Sequence, residues 1–301
     1  MTEFQFHPPI HSSLRQVRPT MYDLPCEDPE EPGLPDEFHD LQPQLLSRTL
    51  RLADYQNDRY FTASDLNLYY DPDHLRWHKR PDWFLVLDVP RLYRQQDLRN
   101  SYVVWDEGKA PTVIVELLSP GREEEDLGAF VDERIEADGS AELPPYTIEA
   151  DESGVKPPHK WEVYEQILQV PYYLVFSRYT DRLRFFQWIE GRYQEQKLEP
   201  ANPRAWLPAL NIGLGVWCGE FEGITRAWLR WYDATEQWLL TDTELAHSQA
   251  LKAQTEAIAA QTQLRQVALN LRQSGMSIAQ VAQLTALSEA QLRDWFGGDF
   301  L

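Results

Sequence analysis

The 301-residue chain has only two cysteines, Cys26 and Cys218. They are too few and too far apart for a disulfide framework or a thiolate zinc site, which points to a reducing, cytosolic setting. The seven histidines show no zinc-ligand spacing either. No apolar run approaches about 18 residues, so no membrane-spanning helix is expected. The opening MTEFQFHPPIHSSLRQ has no long apolar segment and no small-residue cleavage pattern, so no secretion signal is expected. Positive charge is scarce: 28 Lys and Arg face 48 Asp and Glu, for a net charge of -20. That excludes a broad basic surface binding nucleic acid by counterion release. It leaves room for a local site in which divalent cations turn an acidic pocket into one that meets phosphate.

What is present is a large core: 43% of residues are hydrophobic, with eleven Trp and fourteen Tyr. Residues 1–33 are Pro-rich and acidic and read as an extended arm. Leu41, Leu45, Leu46 and Leu50 recur near helical spacing, predicting a helix over Asp40 to Leu52. NLYYDP, WFLVLDVP, SYVVWDE and TVIVELL follow as strands, the last two separated by the breakers of GKAP. Residues 121–159 are dominated by acids and contain LPPY and KPPH, the composition of a partly mobile surface insertion. KWEVYEQIL reads as a helix. PYYLVFSRY, RLRFFQWIEG and RYQEQKLEP read as strands, with YTDR as a hairpin turn. AWLPALNIGLGVWCGEFEG reads as a loop-rich segment with a short strand or two. Its glycines lack the Lys and Ser/Thr of a phosphate loop. Residues 34–240 thus form the core and 241–301 a separate helical region. That region holds a long Ala- and Gln-rich helix ended by Gly275, then two short helices with Ser277 and Ser288 at their N-caps. The heptad pattern of the long helix is weak, yet a coiled coil and a homodimer through it are plausible.

Two acids stand out. Glu116 lies inside the apolar strand around TVIVELL, where an unpaired charge is costly. Asp82 precedes WFLVL, just after Pro81. If the two strands pair, both carboxylates converge at one sheet edge and repel unless a cation intervenes. Mg²⁺ favours one or two carboxylates with waters and substrate phosphate, and such a site supports phosphodiester hydrolysis. Lys160, opening the helix after the insertion, is placed to position the water. The plainer alternatives stay open: Asp82 capping a loop, Glu116 in a structural ion pair, Lys160 solvated at a helix start. Asp88 is a second acid of the Asp82 strand, but it stands about 20 Å away at the far end. Ser119 lacks any nucleophile-elbow context. His159 adjoins Lys160 without further support.

RPDWFLVLDVP, APTVIVELLSPGREEED and KWEVYEQILQVPYYLVF together resemble the Uma2 family, and its cyanobacterial members in particular. That family is regarded as restriction-endonuclease-like, with a PD-(D/E)xK nuclease core. The resemblance spans roughly Leu34 to Trp231. It implies an α/β (α+β) fold with a central mixed β-sheet and flanking helices. It also implies Mg²⁺ or Mn²⁺ on Asp82 and Glu116, and DNA as substrate. The general signature places a lysine two residues after the acid, and that position here is Leu118. In Uma2-like chains the lysine comes later, in a D…K…Y stretch, which Asp126, Lys160 and Tyr164 match. Lys160 is then the migrated lysine, with Asp126 and Tyr164 in support. Tyr164, four residues on, shares a helix face with Lys160, where the commoner role is core packing.

LNLRQSGMSIAQVAQLTALSEAQLRDWF resembles a helix-turn-helix, but its second helix offers only Glu289, Gln291 and Arg293 to read bases. A helical hairpin that caps the long helix or packs on a second copy is the favoured reading. Three functions compete: a metal-dependent DNA endonuclease, a catalytically silent nuclease fold acting as a scaffold through its C-terminal helices, and, with least support, a helix-turn-helix regulator.

Overall fold

A computed structural model describes residues 18–20, 23, 36–119, 121, 123–131 and 156–297. Most of the Pro-rich arm and residues 132–155 of the acidic stretch lie outside the described residues. The chain divides into two compact units, Met1–Leu239 and Leu240–Leu301.

The first unit opens with helix α1, Glu37–Thr49. It starts three residues before the predicted Asp40, because the Asp36 carboxylate accepts from the Phe38 and His39 amides and caps the first turn. It stops at Thr49 rather than Leu52, since Leu50 is already extended. Then come β1 (Tyr60–Ala63), β2 (Leu68–Tyr69), β3 (His78–Lys79), β4 (Trp83–Leu87) and β5 (Tyr102–Val103). The run SYVVWDE is strand only at Tyr102 and Val103. It continues as the single helical turn α2, Val104–Glu107, closed by Gly108 at φ 73°. Next are β6 (Val113–Leu117), α3 (Glu123–Leu127) and α4 (Lys160–Glu162), which runs on into a π-helical turn over Val163–Ile167. β7 (Tyr172–Ser177), β8 (Arg182–Ile189), β9 (Arg192–Gln196), β10 (Arg204–Leu207), β11 (Ile212–Phe221) and β12 (Ile224–Tyr232) complete the unit.

The central sheet has six strands in the order β1-β4-β6-β7-β8-β9. All neighbours are antiparallel except β6 and β7, which run parallel. A parallel pair needs a crossover, and here the crossover carries α3, the acidic stretch and α4. Both faces of β6 are dry. Val113, Val115 and Leu117 belong to one core with α1 and the β10–β12 sheet. Ile114 and Leu118 belong to another with Tyr164, Tyr173 and Trp161. Hence β6 reads as an unbroken apolar run rather than an alternation.

The largest departure from expectation is β11 and β12, strands of ten and nine residues paired along their whole length. Glycines that read as loop instead make room for neighbouring rings. A Cβ on Gly213 would fall 2.0 Å from the Tyr232 ring, and one on Gly219 2.0 Å from Trp217. The segment Glu123–Leu127 also departs, being an ordered helix with Glu123, Asp126 and Leu127 buried rather than surface insertion.

In the second unit, α5 (Asp242–Gln273), α6 (Ile278–Thr285) and α7 (Glu289–Gly297) pack through Ala268, Val281, Leu292 and Phe296. Ser277 and Ser288 accept from the Gln280 and Gln291 amides as N-caps. Gly275 takes φ 94° just beyond α5.

Gly213→Ala is expected to cost about 1–3 kcal/mol by overpacking against Tyr232. A denaturant melt followed by Trp fluorescence checks this, and a variant with an unshifted midpoint contradicts the packing of β11 on β12.

Candidate active site

The register of β4 on β6 pairs Trp83 with Val115. One step further it sets Asp82 opposite Glu116, at the end where β6 finishes. The two are tied reciprocally. The Leu117 amide donates to Asp82 Oδ2 (2.6 Å), and the Asp82 amide approaches Glu116 Oε2 at 3.3 Å. Glu116 is fully buried. Its Oε1 accepts from the Tyr164 hydroxyl (2.8 Å) and its Oε2 from Lys160 Nζ (2.9 Å).

Lys160 arrives from the crossover at the first residue of α4. Its amide donates to Glu125 Oε1 (2.9 Å), so a carboxylate satisfies that exposed helix end. Nζ also lies 3.4 Å from Asp126 Oδ1. That is an ion-pair distance, and among the described residues this buried oxygen makes no closer hydrogen bond. The Tyr173 hydroxyl donates to the Asp126 carbonyl (2.8 Å) and anchors α3 over the sheet. The structure thus brings together Asp82, Glu116, Asp126, Lys160 and Tyr164. Asp88 stands apart at φ 57°, exposed, near Arg59 and Lys109.

Sequence reasoning missed three neighbours. Glu125 accepts from buried Lys79 Nζ (2.8 Å) and contacts His159 Nδ1. His39 on α1 approaches Asp36 Oδ1 through Nδ1 (3.0 Å) and the Leu117 carbonyl through Nε2 (3.1 Å). Neither Lys79 nor His39 carries a local signal, because each meets the site only through strand pairing or helix docking. Glu125 had a weak one, as one of three consecutive acids directly before Asp126.

Electrostatics follow from burying three acids around one ammonium. Burial pushes Glu116 up to about 7 against the pull of Lys160, with Asp82 adding to the rise. Burial likewise raises Asp82 to about 6 and Asp126 to about 7, again opposed by Lys160. For Lys160 burial acts downward, but Asp126, Glu116 and Asp82 outweigh it and hold the amine well above its ordinary value. It is an ammonium at neutral pH and a hydrogen-bond donor only.

Among the described residues no group of three or more His, Cys, Asp or Glu is laid out to hold a metal ion. The donor chemistry nevertheless fits a hard cation. Asp82 and Glu116 offer carboxylate oxygens next to one another, Asp126 Oδ1 is a buried oxygen with only the 3.4 Å contact to Lys160 among the described residues, and Mg²⁺ needs only one or two protein carboxylates.

A mixed sheet with an Asp, a Glu and a Lys gathered at one end of its central strands is a restriction-endonuclease-like core. The chain matches the model of the Uma2 family, described as "Putative restriction endonuclease", over residues 14–217. It belongs to that family. Neither the curated proteins nor the solved structures include a match.

The raised carboxyls make a pH prediction for the metal-free protein. Asp126 ordinarily titrates near 3.8, but near 7 when folded. Its contribution to stability is therefore whole below about pH 4 and drains away as the pH rises through about 7. In chelator, Asp126→Asn is expected to match wild type near pH 4 and to exceed it above pH 7, by up to about 4 kcal/mol. Thermal melts across that window check this; a constant difference at every pH contradicts it.

Proposed function

We propose that the chain is a metal-dependent endonuclease hydrolysing DNA phosphodiester bonds, with Asp82 and Glu116 holding Mg²⁺ or Mn²⁺. The observation that carries this reading is the convergence of Asp82, Glu116 and Lys160 from three separate elements, with Lys160 Nζ 2.9 Å from Glu116. A cation bound there supplies a water of lowered pKa and offsets charge growing on phosphorus. The chain's own groups do the rest. Asp82 is fixed by the Leu117 amide and Glu116 by Tyr164, so both carboxylates are held before substrate arrives. Lys160, as an ammonium, orients the attacking water and stabilises the developing oxyanion rather than taking a proton. Tyr164 and Asp126 act through Glu116 and Lys160.

The second unit supports self-association. Leu251 and Ile258 of α5 are each 57% exposed, and Leu245 and Val267 are exposed too. We read α5 as the contact of a homodimer. No helix among the described residues is long and apolar enough to cross a membrane. The scaffold reading rests on the same α5 surface and becomes the better one if no nucleic acid is cut.

The test is incubation with plasmid DNA and Mg²⁺ or Mn²⁺. Nicking is expected in wild type and lost by about a hundredfold or more in Asp82→Ala, Glu116→Ala and Lys160→Ala. Metal-dependent nicking that survives Asp82→Ala and Glu116→Ala sinks the site assignment, and no cleavage of any DNA or RNA sinks the nuclease reading.

A further inference from the structure

Two arginines sit at the same end of the sheet as Asp82 and Glu116, but on the α1 face with Phe38, across the sheet from the Tyr164 face that carries the Glu116 carboxylate. Arg178 directly follows β7, which runs parallel to β6 and ends beside it. Arg226 lies near the start of β12, and its Nη2 donates to the Arg178 carbonyl (3.1 Å). Both guanidinium carbons lie over the Phe38 ring, at 5.9 Å for Arg178 and 4.4 Å for Arg226. Two like charges therefore share one ring on a chain of net charge -20, an arrangement that costs energy except where acids offset it.

Only one of the two has a direct ion-pair partner among the described residues. Asp36 Oδ2 takes Arg178 Nη2 (2.8 Å), while Arg226 has no ion-pair partner among them and Arg178 Nε is buried without an acceptor. Burial and the charge of Arg178 lower Arg226 from its ordinary value, against the opposing pull of Asp181 and Asp36. The pair is wired to the proposed catalytic strand through Asp36, His39 and the Leu117 carbonyl. Ser119 Oγ approaches His39 Nε2 at 3.4 Å on the chain leaving β6. A tether of this kind fixes the arginines relative to the peptide next to Glu116.

We propose that Arg178 and Arg226 form a phosphate subsite that grips a flanking phosphate of the nucleic-acid backbone at the same sheet end as the bond to be cut. This rests on the nuclease reading and adds to it the means by which an acidic protein captures a polyanion. Paired guanidiniums suit the oxygens of one phosphate, and a backbone contact of this sort positions without reading sequence.

The test is the affinity of the full chain for a short fluorescein-labelled DNA duplex in Ca²⁺, measured by anisotropy between about 50 and about 200 mM salt. Arg178→Gln/Arg226→Gln is expected to bind about tenfold more weakly, with a salt slope smaller by about 0.9, the loss of one phosphate contact. Arg178→Lys/Arg226→Lys is expected to recover most of the affinity. Arg226→Gln alone, which breaks no ion pair, gives the same direction should the double variant fold poorly. Unchanged affinity and slope in the Gln variants overturn the inference. So does a thermal stabilisation by inorganic phosphate that needs the arginines while duplex binding does not, since that makes free phosphate the ligand. Plasmid cleavage with arginine-independent binding removes this subsite alone, whereas arginine-dependent binding without cleavage removes only the nuclease reading.

Discussion

The ion pair between Lys160 and Glu116 is the contact on which the site depends. Glu116 is fully enclosed, and a carboxylate in that position without a partner would cost several kcal/mol. Its partner cannot come from the strand itself, because the residue two places on is Leu118, part of the apolar core. The charge is therefore brought in by the crossover, and α4 must begin where it does for Nζ to reach. Glu125 on the Lys160 amide and Tyr164 on Glu116 both serve that placement.

One ammonium does not balance Asp82, Glu116 and Asp126. Burial resolves the imbalance by raising all three carboxyls toward neutrality. A second cation resolves it differently, by letting the acids ionise. The same surplus of oxygen charge that is awkward in the metal-free protein is what a Mg²⁺ site requires. The proposed arginine subsite follows the same logic at the level of the whole chain: a strongly acidic protein would meet phosphate through small, fixed concentrations of positive charge rather than a basic face.

How much of this was legible in the sequence differed by element. β4 and β6 were, because a strand buried on both faces leaves an unbroken apolar run, and Glu116 was conspicuous within it. The contact of Lys160 with Glu116 had only a faint signal in its place at the start of the next helix, strengthened by the resemblance to Uma2, since no local rule links residues 116 and 160. β11 was not legible. Gly213 and Gly219 signal loops by propensity, and only the Tyr232 ring opposite Gly213 and the Trp217 ring of the same strand beside Gly219 explain them. α3 was hidden for a related reason: a run of acids reads as solvated surface, and its burial follows from Lys79 and Lys160, which arrive from elsewhere. His39 could not be picked out, because its partner is a main-chain carbonyl 78 residues away.

The claim at the centre is that Asp82 and Glu116 hold a divalent cation while Lys160 stays charged beside them. Anomalous diffraction from crystals of the full chain soaked in Mn²⁺ tests it most directly. The account predicts one manganese peak bonded to carboxylate oxygens of both Asp82 and Glu116, with the Lys160 ammonium still in the site. No manganese at these two residues at saturating concentration, with Glu116 bound only by Lys160 and Tyr164, would contradict it.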